Sequence, residues 1–202
     1  MEALPVTLVD YGVGNIHSLA KAFEIAGAKV SVESDLSRTA SGRCLLFPGV
    51  GAFGKVAGQL APIRRQIRDL LEAGTPAFAV CIGMQILHES SEEGEGEGIG
   101  LFPGRVRRLA HSRLPHIGWN GVRHDASGPF RGVAQSSFFY FVHSYAPSAC
   151  GEGCIATADY GGPFAAASVR ASTWAVQFHP EKSSEAGLRV IRNFVEFAGE
   201  RR

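Results

Sequence analysis

A thiol, an imidazole and a carboxylate, far apart in the chain, are the side chains best suited to covalent chemistry. Cys81 lies in AVCIGMQIL (79–87), with PAFAV leading into it and Gly83 two places later. A cysteine in an apolar run is ordinarily a small core residue. Here the pattern predicts a buried strand that turns sharply into a helix, with Cys81 at the tip. Such a nucleophile elbow lifts its side chain above the sheet, and a helix N-terminus favours the thiolate. A cysteine nucleophile needs a base, and the base needs an orienting group. Of seven histidines, His179 in QFHPEKS (177–183) has the fitting context. TWAVQF reads as a strand, Pro180 stops it, and Glu181 is spaced to sit beside the imidazole. His17, His88, His111 and His124 have no such setting and read as surface residues.

The elements that must carry these groups follow from hydrophobic periodicity. Val6–Val9 is a short strand. Ile16, Leu19, Ala20 and Phe23 then recur at helical spacing, with Gly27 as a C-cap. Strands are predicted at 29–32 and 43–47, a helix from Phe53 to Ala73 ended by Gly74, a buried strand at 76–80 and a helix from Gly83 to His88. Strands that are continuous apolar runs and alternate with helices specify a parallel sheet covered on both faces, the doubly wound α/β class. Ligands of such sheets bind at the strands' carboxyl ends, where the Cys81 turn lies.

SSEEGEGEGIG (90–100) reads as a solvated connection. From Arg105 to Gln177 short strands are separated by turn signals such as Gly161-Gly162-Pro163, which predicts an antiparallel β insertion in the second half. A last amphipathic helix contains Leu188, Ile191, Phe194, Val195 and Ala198.

The 202 residues suit one domain, 1–202, and 45% hydrophobic content argues against disorder. The formal net charge of +1 gives no electrostatic footprint for nucleic acid or an anionic membrane. The N-terminus lacks a basic region and a long apolar stretch, so no signal peptide or membrane span is expected. Cys44, Cys81, Cys150 and Cys154 form no disulfide framework, and reduced thiols in a cytoplasmic protein are the expectation. The C-x3-C pair at 150 and 154 has no second pair of ligands; no metal and no cofactor are expected. DYGVGNIHS (10–18) has His17 where a dinucleotide loop needs its third glycine.

C-x-G-x-Q after a buried strand, followed by HPE, resembles the triad of the class I glutamine amidotransferases. The resemblance implies a flavodoxin-like sheet, with Cys81 as nucleophile, His179 as general base and acid, and Glu181 as its orienter. It also implies release of ammonia from L-glutamine through a γ-glutamyl thioester. Tetrahedral intermediates need oxyanion donors. The Ile82 N–H after the nucleophile is one. The glycine-rich loop FPGVGAFG (47–54), where the family has its oxyanion strand, points to Gly49, Val50 and Gly51. Gln85 and His143-Ser144-Tyr145 resemble the residues that hold the α-amino and carboxylate groups of glutamine.

YGVGN, PGVGAF, PHIGWN (115–120), YFVHSY (140–145) and QFHPEKS together resemble the branch that serves imidazole glycerol phosphate synthesis, from about residue 6 to residue 197. Ile82 and Ile117 stand where leucine and methionine are commoner, both volume-conserving changes. That branch implies a heterodimer with a (β/α)8-barrel cyclase subunit, and Trp119, Asn120, Tyr140 and Lys182 are the interface candidates. Arg64, Arg65, Arg68 and Arg105 to Arg108 read as solvated or interface charge. Glutaminases of anthranilate, aminodeoxychorismate or pyridoxal phosphate synthesis share the triad, but GWN followed by HPEKS argues against them. A scaffold that kept only the fold predicts a missing triad member, and a redox-sensing thiol would not require Gln85 or a base completed at HPE.

Overall fold

The structure is a computed structural model that describes residues 3–12, 16–39, 41–49, 51–149 and 151–201. Val50, one of the candidate oxyanion residues, lies outside the described residues, as do positions 13–15 of YGVGN and Cys150. The first half runs β1 (Leu4–Val9), α1 (His17–Ile25), β2 (Ala28–Glu33), α2 (Leu36–Thr39), β3 (Leu45–Phe47), α3 (Phe53–Leu60), α4 (Arg64–Glu72), β4 (Ala77–Val80) and α5 (Ile82–Ile86). The second half runs β5 (His88–Ser91), β6 (Phe102–Arg108), β7 (His116–Gly121), β8 (Arg123–His124), β9 (Phe138–His143), β10 (Tyr145–Ala146), β11 (Cys154–Asp159), β12 (Pro163–Arg170), β13 (Thr173–Val176) and α6 (Ser184–Gly199).

Eight strands form the main sheet in the order β2-β1-β3-β4-β13-β12-β11-β8. The first five are mutually parallel, and β12, β11 and β8 extend the sheet antiparallel. Alternation along the strands feeds two cores. Phe78 and Val80 of β4 join Leu46, Trp174 and Val176 beneath α1 and α6, whereas Ala77 and Ala79 face Phe47, Val56, Ile67 and Met84 beneath α3, α4 and α5. Phe23, Phe78, Phe194 and Trp174 interlock edge to face, with centroids 5.1 to 6.2 Å apart. This is the doubly wound sheet expected, with antiparallel strands in the second half.

Three details differ from the sequence-based expectation. The helix predicted from Phe53 to Ala73 is two helices, because Pro62 lacks an N–H and the chain passes through a 3-10 turn at Ala61–Ile63. The insertion is not a single unit. β13 returns to pair parallel with β4, while β7 and β9 form a separate two-stranded ribbon. The acidic loop after residue 90 is also partly structural: the Glu93 carboxylate accepts the Phe53 N–H at 2.8 Å and caps α3.

Candidate active site

β4 ends at Val80 and α5 begins at Ile82, so Cys81 makes the whole turn alone, at φ 49° and ψ −109°. A non-glycine residue in that region carries roughly 1–3 kcal/mol of strain, held here by the surrounding packing. Its N–H donates to the Val176 carbonyl at 2.7 Å and its carbonyl accepts the Gln85 N–H at 3.0 Å. Gly83 allows the close turn. A Cβ there would stand 2.4 Å from the Phe47 carbonyl oxygen.

β13 is the parallel neighbour of β4, with Val176 opposite Val80. The chain beyond each strand therefore emerges at the same sheet end, which brings His179 to Cys81. His179 Nδ1 lies 2.8 Å from Glu181 Oε1, and both side chains are buried. The carboxylate fixes the ring with its proton on Nδ1, leaving Nε2 for the thiol. Burial pulls the imidazole pKa down, but Cys81 and Glu181 outweigh it and raise the value to about 9. Nε2 is buried with no partner in strict hydrogen-bond geometry, yet Cys81 is near enough to raise the ring's pKa both as a hydrogen-bond partner and as a charge. Such bonds are commonly loose before substrate binds.

The backbone on both sides of His179 is braced. Its N–H donates to the Tyr140 carbonyl at 2.8 Å, and its carbonyl accepts the Ser183 hydroxyl at 2.6 Å. The Ser183 oxygen in turn accepts the Tyr140 N–H at 2.9 Å. The imidazole is thus tied to β9 rather than to a free loop.

Gly49 sits directly against the site. A Cβ on it would lie 2.7 Å from Val80 Cγ1 and 3.0 Å from His179 Cε1, so only glycine lets this loop reach the ring. Gly51 is exposed with φ +126°. The buried Tyr11 hydroxyl donates to the Pro48 carbonyl, immediately before Gly49. Burial, then the neighbouring Cys81 and Asp10, push its ionisation well above the usual tyrosine range, so Tyr11 stays a neutral donor. No spacing in the sequence links Tyr11 to this loop.

Ile82 and Gln85 are buried behind the elbow. Gln85 Nε2 donates to the Tyr145 carbonyl at 2.8 Å and to Gln177 Oε1 at 3.1 Å. His143 Nδ1 donates to the same Tyr145 carbonyl at 2.9 Å, and His143 Nε2 lies 3.1 Å from His116 Nδ1. Burial lowers the pKa of both histidines to about 4, which keeps the pair neutral. Ser144 contributes its carbonyl to the Leu109 N–H at 2.9 Å. His116 and Gln177 belong to the site's framework although no role was expected of them. Gln177 could have been found, since strand alternation puts it on the face of His179.

The outer face of the β7–β9 ribbon is apolar and open. Ile117, Trp119 and Phe138 are 61%, 51% and 58% exposed. Trp119 packs edge to face on Tyr140 at 6.1 Å, and Lys182 Nζ lies 5.7 Å from the Tyr140 ring centre. Three interface candidates therefore adjoin one another beside His179. Asn120 points the other way: its amide donates to the Asp159 carbonyl at 2.9 Å and reaches His116 Nε2 at 3.4 Å. Ile117 and Phe138 complete the patch.

An elbow cysteine with a buried histidine–carboxylate pair can perform acyl transfer through a thioester. Comparisons with known proteins agree with this chemistry. Residues 7–197 match the family described as glutamine amidotransferase class-I. Subunit HisH of imidazole glycerol phosphate synthase from Methanosarcina mazei is 39% identical, over 95% of this chain and 98% of that protein. The Gloeobacter violaceus protein of the same description is 42% identical, over 97% of this chain and 91% of its own length. In fold, PurLQS from Thermotoga maritima superposes with a TM-score of 0.74 at 18% identity, covering 96% of this chain and 99% of that one. The chain belongs to the class-I glutamine amidotransferase family and, within it, to the imidazole glycerol phosphate synthase subunit HisH group.

Proposed function

We propose that this chain is the glutaminase subunit of an imidazole glycerol phosphate synthase, with residues 1–202 acting as one domain. It hydrolyses L-glutamine to glutamate and ammonia. A cyclase subunit, a (β/α)8 barrel, uses the ammonia to make imidazole glycerol phosphate and aminoimidazole carboxamide ribotide in histidine biosynthesis. The Cys81 thiolate attacks the side-chain amide carbon. The Ile82 N–H and the Gly49–Gly51 loop receive the oxyanion, and His179 protonates the departing nitrogen. The resulting γ-glutamyl thioester is cleaved by water, whose proton His179 takes, and Cys81 is regenerated. Glu181 stabilises the imidazolium through both steps. Gln85, His143, Ser144 and Tyr145 are assigned to the amino-acid moiety of glutamine by the family resemblance, with Gln85 and His143 acting from buried positions.

The observation that carries this reading is the meeting of the strained Cys81 turn with the His179–Glu181 pair at the ends of two adjacent parallel strands. The ribbon patch of Ile117, Trp119, Phe138, Tyr140 and Lys182 is the docking face for the cyclase. It adjoins the base because the Tyr140 carbonyl holds the His179 N–H. Ammonia release from glutamine, by the chain alone and with a barrel cyclase and its ligand, tests the assignment. Wild type is active in the loaded complex, and Cys81→Ala loses about four orders of magnitude or more. Comparable turnover by the alanine variant would overturn it.

A further inference from the structure

Gln177 is fully buried, two residues before His179, and the mechanism above gives it no task. Its side chain ends at the nucleophile: Nε2 lies 3.5 Å from Cys81 Sγ. Which end of the amide faces the sulfur follows from its neighbours. The Tyr145 carbonyl can only accept, so Gln85 must present Nε2 to it. That same nitrogen also meets Gln177, which must answer with its oxygen. The Gln177 N–H group is left for the sulfur. Turning either amide over would set two acceptors or two donors against each other inside the core.

A second hydrogen-bonded chain reaches the same Tyr145 carbonyl from the other side, and its directions are set in the same way. His143 donates through Nδ1 to the Tyr145 carbonyl, so a neutral His143 accepts at Nε2. His116 then donates through Nδ1 and accepts from Asn120 at Nε2. His116 is clamped between the Phe141 and Tyr160 rings, at centroid distances of 5.0 and 4.1 Å. Every hydrogen in this line has one direction.

We propose that Gln177 is a further catalytic residue, whose side-chain N–H donates to the Cys81 sulfur and favours the attacking thiolate, and that Gln85 is its positioning residue. The five-residue α5 supplies only a short stack of aligned peptides behind the elbow, and a directed donor supplements it. The catalytic consequence rests on the glutaminase reading; the donor contact itself does not.

The test is the pH dependence of Cys81 alkylation by iodoacetamide in the full-length chain, followed on the Cys81 peptide by mass spectrometry. The titratable groups around the sulfur are His179, Glu181 beyond it, and Tyr11 from the end of β1. None of them changes in the variants. Gln177→Met removes the donor at similar volume, and its alkylation midpoint moves up by about one pH unit. Gln177→Glu keeps the shape but sets a carboxylate, both an acceptor and a like charge, against the sulfur and moves the midpoint further. Gln85→Met shifts it in the same direction by less. Glutamine turnover by Gln177→Met in the loaded complex falls about tenfold at neutral pH and recovers at high pH. A purely structural role would lower melting temperature and leave the midpoint in place. Unshifted midpoints in Gln177→Met and Gln177→Glu, with normal wild-type ammonia release, overturn the donor alone. Shifted midpoints in a wild-type background that releases no ammonia support the donor and sink the glutaminase reading.

Discussion

The parallel half of the main sheet buries apolar side chains on both faces, whereas the β7–β9 ribbon buries histidines among its phenylalanines and leaves large apolar side chains exposed. Around β4, phenylalanines, alanines and valines face both cores. In the ribbon, His116, Phe141 and His143 turn inward, while Ile117, Trp119 and Phe138 stand in solvent. The hydrophobic effect alone accounts for the first arrangement. The second costs stability, because polar rings are desolvated and apolar ones left wet. Buried imidazoles beside exposed apolar rings mark a segment where function takes precedence over stability. Its inner face lies against Cys81 and His179, and its outer face is an exposed apolar patch.

The comparison is sharpened most by removing a side chain from the conventional half. Phe78→Ala opens a cavity among Phe23, Phe194 and Trp174 and lowers unfolding free energy by about 3–5 kcal/mol, measured by urea titration. A loss under 1 kcal/mol would mean that the two regions are not built differently. Trp119→Ala has its effect elsewhere. Stability of the isolated chain changes by no more than about 0.5 kcal/mol, while affinity for the cyclase falls by about 2 kcal/mol, roughly thirtyfold. Calorimetric titration of the two subunits checks it. Unchanged affinity would remove the reason for an apolar outer face.

The smallest effect concerns the inner face and acid. His116 and His143 of the ribbon, and His88 of β5, which is buried and not at the surface as expected, have pKa values lowered by burial to about 4, against 6.5 in an unfolded chain. Between these values the unfolded chain binds more protons, so their contribution to stability is present above pH 6.5 and is lost as pH falls toward 4. His179 has the opposite sign: its pKa near 9 stabilises the fold fully below 6.5, and this is lost as pH rises through 9. The melting temperature therefore falls by several degrees on acidification. His116→Gln, which keeps an amide donor and cannot titrate, flattens that slope. An identical slope would show that the ribbon's imidazoles take no part.

The elbow was legible because its signals are local: an apolar run, a cysteine and a glycine at the turn. Pro180 and Glu181 beside His179 were equally readable. Pro62 was also in plain view, yet helical spacing persisted across it and hid the break. Glu93 looked like solvated charge because the N–H it caps is distant in sequence. Asn120 looked exposed because alternation does not reveal which face of a two-stranded ribbon meets the core.

By itself the sequence determined the alternation of strands and helices, the turn that carries Cys81, and the chemical type of its partners, since periodicity and turn chemistry act over a few residues. Only the tertiary structure decided that β13 returns beside β4 in the register that sets His179 at the sulfur. It alone assigned Gln85 and Gln177 to a donor chain that ends at the sulfur, and His116 and His143 to a second chain that meets it at the Tyr145 carbonyl. Strand pairing and donor direction depend on groups distant in the chain, and no local pattern encodes which distant partner is met.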